Sequence, residues 1–114
     1  MSTEPTNSIF ARLMGVIEDR KTNPPARSYT TSLLEGGVAK IGAKIVEEAG
    51  EVVQAAAEPG DQGRSHLVYE SADLVYHLFV LLAHRDIPLN ELEAELARRF
   101  GISGIDEKES RPAK

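Results

Sequence analysis

The sequence contains no cysteine, and this absence excludes two kinds of site. Without thiols there is neither a disulfide framework nor a thiolate metal centre. Any metal ion must therefore be held by oxygen or imidazole ligands. The absence of cysteine is also compatible with a reducing cytoplasm, where we expect the protein to work.

Long hydrophobic runs are also missing. The longest apolar stretch, from Leu78 to Ala83, is far too short to cross a bilayer. The first residues, Met1 to Asn7, are polar and lack the apolar core of a signal peptide. We therefore expect no contact with membranes.

Positive charge is in deficit, since the formal net charge is −5. A surface that binds nucleic acid normally carries a basic patch that displaces counterions from phosphates, so we expect no nucleic-acid partner. A small phosphorylated ligand remains compatible if a bridging cation links acidic side chains to its phosphates. The commoner explanation is that the acidic excess keeps the surface solvated.

The pattern of apolar residues predicts an all-α fold, a bundle of four to five helices in one domain over residues 1–114, and no strand. Four segments have helical periodicity: about Ser8 to Lys21, Ser28 to Ala57, Ser65 to His84 and Pro88 to Gly101. Glycines 36 and 37 make a weak point in the second helix. Residues 102–114 contain glycine, proline and charges, and are expected to form a tail.

The third helix is apolar around most of its circumference between Leu74 and Ala83. Such a helix belongs at the centre of a bundle or at a subunit interface. A domain of 114 residues buries only about two-thirds of the surface that its unfolded chain exposes. We therefore predict that dimerisation completes the core.

Charged residues form a stripe on each of the two central helices. At about 100° per residue, six residues of the second helix fall within an arc of about 100°: Lys40, Lys44, Glu47, Glu48, Glu51 and Glu58. Five residues of the third helix fall within about 60°: His66, Glu70, Asp73, His77 and His84. Simple surface ion pairs explain the first stripe equally well. They explain the second less well, because carboxylates on a mostly apolar helix are costly to bury without a compensating charge.

Two acidic pairs, Glu48 with Glu51 and Glu70 with Asp73, project from single turns of these helices. The short connection between the helices favours an antiparallel arrangement in which the four carboxylates face one another. Such a cluster requires a cation, and Mg²⁺ prefers oxygen ligands and binds phosphates at the same time. A di-iron site is the alternative, but no Glu-x-x-His pair is present, and His77 is better explained as a packing residue or a neighbour of the ligands. The residues alone leave metal-dependent phosphate chemistry and a bundle with charged faces about equally supported.

Longer motifs make the sequence resemble phosphoribosyl-ATP pyrophosphohydrolases, members of the all-α nucleotide pyrophosphohydrolases. The similarity extends over nearly the whole chain from Ile9. It is carried by the run from Ser28 to Leu34, by Gly37, Lys40, Ile41 and Lys44, by Glu47 to Val52, by Tyr69 to Leu78, and by Arg99 to Gly101, Ser103, Gly104, Glu107 and Lys108. Gly50 departs from the family pattern, in which an alanine or polar residue is expected.

The resemblance implies hydrolysis of phosphoribosyl-ATP to phosphoribosyl-AMP and pyrophosphate, the second step of histidine biosynthesis, in a cytoplasmic homodimer. It also implies Mg²⁺ bound at four carboxylates: Glu48, Glu51, Glu70 and Asp73. Glu47, Lys40 and Lys44 match family positions near that site.

In such an enzyme, Glu47 or Glu48 would orient or deprotonate the attacking water. Lys40 and Lys44 would neutralise charge on the departing pyrophosphate, although an ordinary surface position explains Lys40 nearly as well. Two rival functions remain: a housekeeping pyrophosphohydrolase acting on a nucleoside triphosphate, and a non-catalytic helical interaction module.

Overall fold

The computed structural model describes residues 8–101 and Lys108. Residues 8–101 form four helices and no strand: α1 (Ile9–Thr22), α2 (Tyr29–Ala56), α3 (Gly60–His84) and α4 (Leu89–Arg98). The predicted all-α class is confirmed. The predicted tail, apart from Lys108, lies outside the described residues.

Side-chain caps determine where the first two helices begin. The hydroxyl of Ser8 accepts a hydrogen bond from the backbone N–H of Ala11, and that of Ser28 accepts one from Thr31. Each bond satisfies an N–H group that has no partner within its helix. The sequence placed both starts within one residue of the observed ones.

The weak point predicted in α2 is a kink at Gly37, whose backbone has φ 74° and ψ −165°. This conformation is essentially restricted to glycine. The side chain of Lys40 lies against neighbouring Gly36, and its Nζ donates to the carbonyl of Ser32 at 3.3 Å. Helix α2 therefore consists of two helical segments joined at Gly37.

The start of α3 differs from the sequence prediction by five residues, since the helix begins at Gly60 and not near Ser65. Gly63 in its first turn packs so closely on the backbone of Glu58 that a Cβ at position 63 would clash with the Glu58 carbonyl. Only glycine allows this approach. Gly60 and Gly63 are thus part of the helix, ahead of the start that the sequence predicted.

Helix α3 is central, as predicted, and packs along α2 and against α1. The core joins seven buried residues of these three helices: Met14, Ile17, Leu33, Ile41, Phe79, Val80 and Ala83. At one end, Lys21 donates to the carbonyls of Ala83 and His84 and pairs with Asp86 at 2.6 Å. No residue of α4 is buried.

None of these helices is long and apolar enough to cross a membrane, over the residues described.

Candidate metal centre

Three carboxyl groups from two helices lie close together between α2 and α3. Glu48 and Glu51 lie one turn apart on α2, and Glu70 lies on α3. Each offers an oxygen atom, and these atoms all lie within 4.8 Å of one another. We call Glu48, Glu51 and Glu70 the carboxylate cluster.

Two members of the carboxylate cluster are almost completely removed from solvent. Glu48 is 5% exposed and Glu70 is 8% exposed. The Oε1 atom of each is buried and, among the residues described, has no hydrogen-bond partner. A buried carboxylate oxygen without a partner is expensive, so each such atom requires an explanation.

The electrostatics of the cluster favour a positive ligand. Burial, and then the negative charges of Asp73, Glu51 and Glu70, raise the pKa of Glu48. The pKa of Glu51 is raised as well, chiefly because a protonated Glu51 would hydrogen-bond to Glu70. Both shifts mean that the ionised cluster is unfavourable without a compensating cation. Oxygen ligands, repulsion and unpartnered buried atoms together fit a hard divalent ion such as Mg²⁺.

Asp73, the fourth predicted ligand, lies beside the carboxylate cluster but is not one of the three residues that converge. It lies one turn after Glu70 on α3, and after burial its negative charge is the next cause of the raised pKa of Glu48. Its backbone carbonyl accepts a hydrogen bond from Nδ1 of His77 at 2.8 Å.

The two predicted lysines have different surroundings. Lys44 Nζ donates to Glu47 Oε1 at 3.2 Å, and its charge also acts on Glu48 and Tyr29. Lys40 donates to the carbonyl of Ser32 beside the kink in α2. The structure therefore brings Lys44 and Glu47 to the edge of the carboxylate cluster, whereas the ammonium group of Lys40 is bonded elsewhere.

Tyr29 is a neighbour of the site to which the sequence assigned no role. Nδ1 of buried His77 donates to a carbonyl, and its Nε2 shares a hydrogen bond of 2.9 Å with the Tyr29 hydroxyl. Burial raises the pKa of Tyr29, Lys44 lowers it, and Tyr76, Glu48 and Asp73 add smaller increases. Residues 29 and 77 are far apart in sequence, so helical periodicity gave no signal of this contact.

His66 was placed on the charged stripe of α3 by periodicity, which gave no signal of its contact with Glu58. Its Nδ1 lies 3.0 and 3.1 Å from the two carboxylate oxygens of Glu58, and its Nε2 lies 3.0 Å from Oε2 of Glu70. The hydrogen bond to Glu58 is the largest cause of the raised pKa of His66. The imidazole therefore links the end of α2 to a member of the carboxylate cluster.

Comparisons with known proteins agree with these observations. A family described as phosphoribosyl-ATP pyrophosphohydrolase matches residues 10–100. A phosphoribosyl-ATP pyrophosphatase of Rhodopirellula baltica is 54% identical over 103 residues, which cover 90% of this chain and 86% of the relative. Proteins of the same name from Trichlorobacter lovleyi and Neisseria meningitidis are 52% and 44% identical, over 90% and 92% of this chain and 93% and 95% of their own.

Proposed function

The chain belongs to the phosphoribosyl-ATP pyrophosphohydrolase family, and we propose that it hydrolyses phosphoribosyl-ATP to phosphoribosyl-AMP and pyrophosphate. This reaction is the second step of histidine biosynthesis. The observation that carries the proposal is the family match, which includes every residue of the carboxylate cluster together with Asp73. Because the substrate is a phosphorylated biosynthetic intermediate, we also propose a cytoplasmic location.

We further propose that the reaction depends on Mg²⁺ held by Glu48, Glu51, Glu70 and Asp73. The support is the pair of buried, unpartnered oxygens of Glu48 and Glu70 and the raised pKa of Glu48. A bound Mg²⁺ would neutralise phosphate oxygens and make the phosphorus more electrophilic.

The remaining steps fall to side chains beside the carboxylate cluster. Glu47 is exposed, and we propose it, ahead of buried Glu48, as the group that orients the attacking water and takes its proton. The water oxygen forms a bond to the α-phosphorus, and the bond from that phosphorus to the oxygen bridging the β-phosphate breaks. Lys44, 3.2 Å from Glu47, is placed to neutralise the charge that develops on the pyrophosphate. For Lys40 the same role requires its ammonium group to leave the Ser32 carbonyl.

We also propose that the enzyme is a homodimer. A cavity of about 600 Å³ lies between α1 and α3, and its walls are mostly apolar. Phe10 and Val16 on its rim are 51% and 49% exposed, and no residue of α4 is buried. Apolar surface of this kind is typical of a face that a second subunit covers.

A substrate panel tests the proposed reaction. Purified protein with Mg²⁺ is given phosphoribosyl-ATP, ATP and other nucleoside triphosphates, and pyrophosphate and the nucleotide products are measured separately. We expect kcat/KM for phosphoribosyl-ATP to exceed that for ATP by at least about 100-fold, the discrimination that about 3 kcal/mol of specific contacts provides.

The rival functions predict other results from the same panel. Preferred release of pyrophosphate from another nucleoside triphosphate would indicate the housekeeping activity. No pyrophosphate from any substrate, together with no binding of Mg²⁺, would indicate a non-catalytic module.

A further inference from the structure

His66 lies one turn before Glu70 on α3, with its imidazole between two carboxyl groups. Nε2 lies 3.0 Å from Oε2 of Glu70, and Nδ1 lies 3.0 Å from Oε1 of Glu58. Carboxylate oxygens accept hydrogen bonds, so a ring nitrogen that carries a proton is the donor, and the doubly protonated ring donates to Glu70 and Glu58 at once. Because each ring nitrogen contacts a carboxylate oxygen, neither is free to bind a metal ion.

The two carboxylate oxygens of Glu70 have different surroundings. Oε2 is held by the imidazole, while Oε1 is buried and has no partner among the residues described. A free glutamate side chain rotates about three bonds, and holding it in one orientation costs conformational entropy. The hydrogen bond at Oε2 restricts this rotation before any ligand binds, and Oε1 remains available to one.

Glu58 contacts the other nitrogen of the imidazole. It lies in the connection between the helices, just after α2, and both of its carboxylate oxygens are within 3.1 Å of Nδ1. The chain of contacts from Glu58 through His66 to Glu70 therefore joins the end of α2 to α3. It fixes Glu70 relative to the helix that carries Glu48 and Glu51.

We propose that His66 is a positioning residue, which holds Glu70 through Oε2 so that Oε1 stays directed at the metal. The inference rests on the proposed Mg²⁺ site. It assigns to His66 neither metal ligation nor contact with the substrate. Its action is indirect, through the orientation of one ligand.

The test is Mg²⁺ binding to metal-free protein, measured by calorimetry with MgCl₂ alone. His66→Leu removes both hydrogen bonds, and we expect Mg²⁺ to bind about tenfold or more weakly, as is usual when a residue that orients a ligand is lost. His66→Gln keeps one N–H donor within reach of Glu70, so we expect it to restore part of the affinity. At saturating Mg²⁺ we expect kcat of both variants to stay within a few-fold of that of the unaltered protein. The defect should be that a higher Mg²⁺ concentration is needed to reach this rate.

His84→Leu is the matched control, since it makes the same change on the same helix. Position 84 lies 14 residues after Glu70, or about 21 Å along the helix axis. We expect its Mg²⁺ affinity to be unchanged. Circular dichroism checks that the variants keep their helices, and Glu58→Ala provides a second test that leaves His66 in place and should weaken binding in the same direction.

For His66→Leu, electrostatics alone predicts the opposite sign, because losing a protonated imidazole near the carboxylate cluster would strengthen cation binding. For Glu58→Ala, the loss of a negative charge predicts weaker binding, as the inference does, so His66→Leu is the deciding variant. Unchanged or tighter Mg²⁺ binding by folded His66→Leu would therefore overturn the inference, as would a lack of Mg²⁺ binding by the unaltered protein. If Mg²⁺ binds and the variants weaken it, but phosphoribosyl-ATP is not cleaved, the inference stands and the proposed function fails.

Discussion

At the scale of single residues, the ionised carboxylate of Glu48 is costly to bury, and it lies at the centre of the site. Its carboxyl group is buried, Oε1 has no partner in the described part of the chain, and its pKa is raised chiefly by burial. A folded-state pKa above the ordinary value of 4.5 means that the folded protein binds this proton more tightly than the unfolded chain. The stability that Glu48 contributes is therefore present at low pH and is lost as the pH rises from about 4.5 through the folded-state pKa.

We predict that Glu48→Gln raises the melting temperature of metal-free protein at neutral pH, because a neutral amide is cheaper to bury than a charge. The same variant should lose the rise in melting temperature that Mg²⁺ gives the unaltered protein. Thermal melts in EDTA and in Mg²⁺, from about pH 4 to about pH 8, measure both effects. A variant that is less stable in EDTA at neutral pH, or that still responds fully to Mg²⁺, would show that the charge of Glu48 is compensated differently.

Glu51→Gln and Asp73→Asn should each lower kcat/KM by more than about 100-fold. Replacing a residue that only hydrogen-bonds to a metal ligand already lowers metal affinity or activity about 10–100-fold, and a lost ligand should cost more. Both substitutions preserve side-chain volume and remove charge, so helix content should not change. Exposed Glu93 of α4 provides the control, as Glu93→Gln makes the same chemical change outside the cluster. Asp73 is the sharper case, because it is not among the three carboxylates that converge. Near-normal turnover of Asp73→Asn would remove it from the ligand set.

At the scale of helices, two glycines of α2 should respond in opposite ways to substitution by alanine. Gly50 is an ordinary position in the helix interior, with open space where a Cβ would stand, whereas Gly37 has φ 74° at the kink. We predict that Gly50→Ala stabilises the fold by about 1 kcal/mol, the helix-propensity difference. Gly37→Ala should destabilise it by about 1–3 kcal/mol, the cost of a strained backbone.

Urea unfolding of these two variants and the unaltered protein measures the difference. Destabilisation by Gly50→Ala would mean that the surface around this position is covered, for example by a second subunit. A neutral Gly37→Ala would mean that α2 straightens at little cost.

The helices were largely predictable from the sequence because caps, glycines and periodicity act locally. Ser8 and Ser28 marked the starts of α1 and α2, and Gly37 marked the kink. The start of α3 was misplaced because Gly63 serves a close contact with Glu58, which no local pattern reveals. For the same reason, spacing indicated the acidic pairs but not the contacts Tyr29 with His77 and His66 with Glu58, which depend on how α2 and α3 lie against each other.

At the scale of the whole molecule, the apolar cavity between α1 and α3 predicts that two copies of the chain associate into a dimer. We expect light scattering at low micromolar concentration to give the mass of a dimer. Val16→Lys should dissociate it or lower its stability by several kcal/mol, because the dimer would bury an unpaired charge. Val38→Lys, at a similarly exposed position outside the cavity, is the control. A folded and fully active monomer would show that one chain is complete without a partner.

A metal ion held by the carboxylate cluster is proposed to drive cleavage of phosphoribosyl-ATP, and the roles of Glu47, Lys44 and His66 depend on it. The most direct measurement is the initial rate of pyrophosphate release from phosphoribosyl-ATP as Mg²⁺ is added to metal-stripped protein. We predict no release in excess chelator and a saturable rise with Mg²⁺, with pyrophosphate and phosphoribosyl-AMP formed in equal amounts. An unchanged rate in chelator, or no pyrophosphate at saturating Mg²⁺, would contradict it.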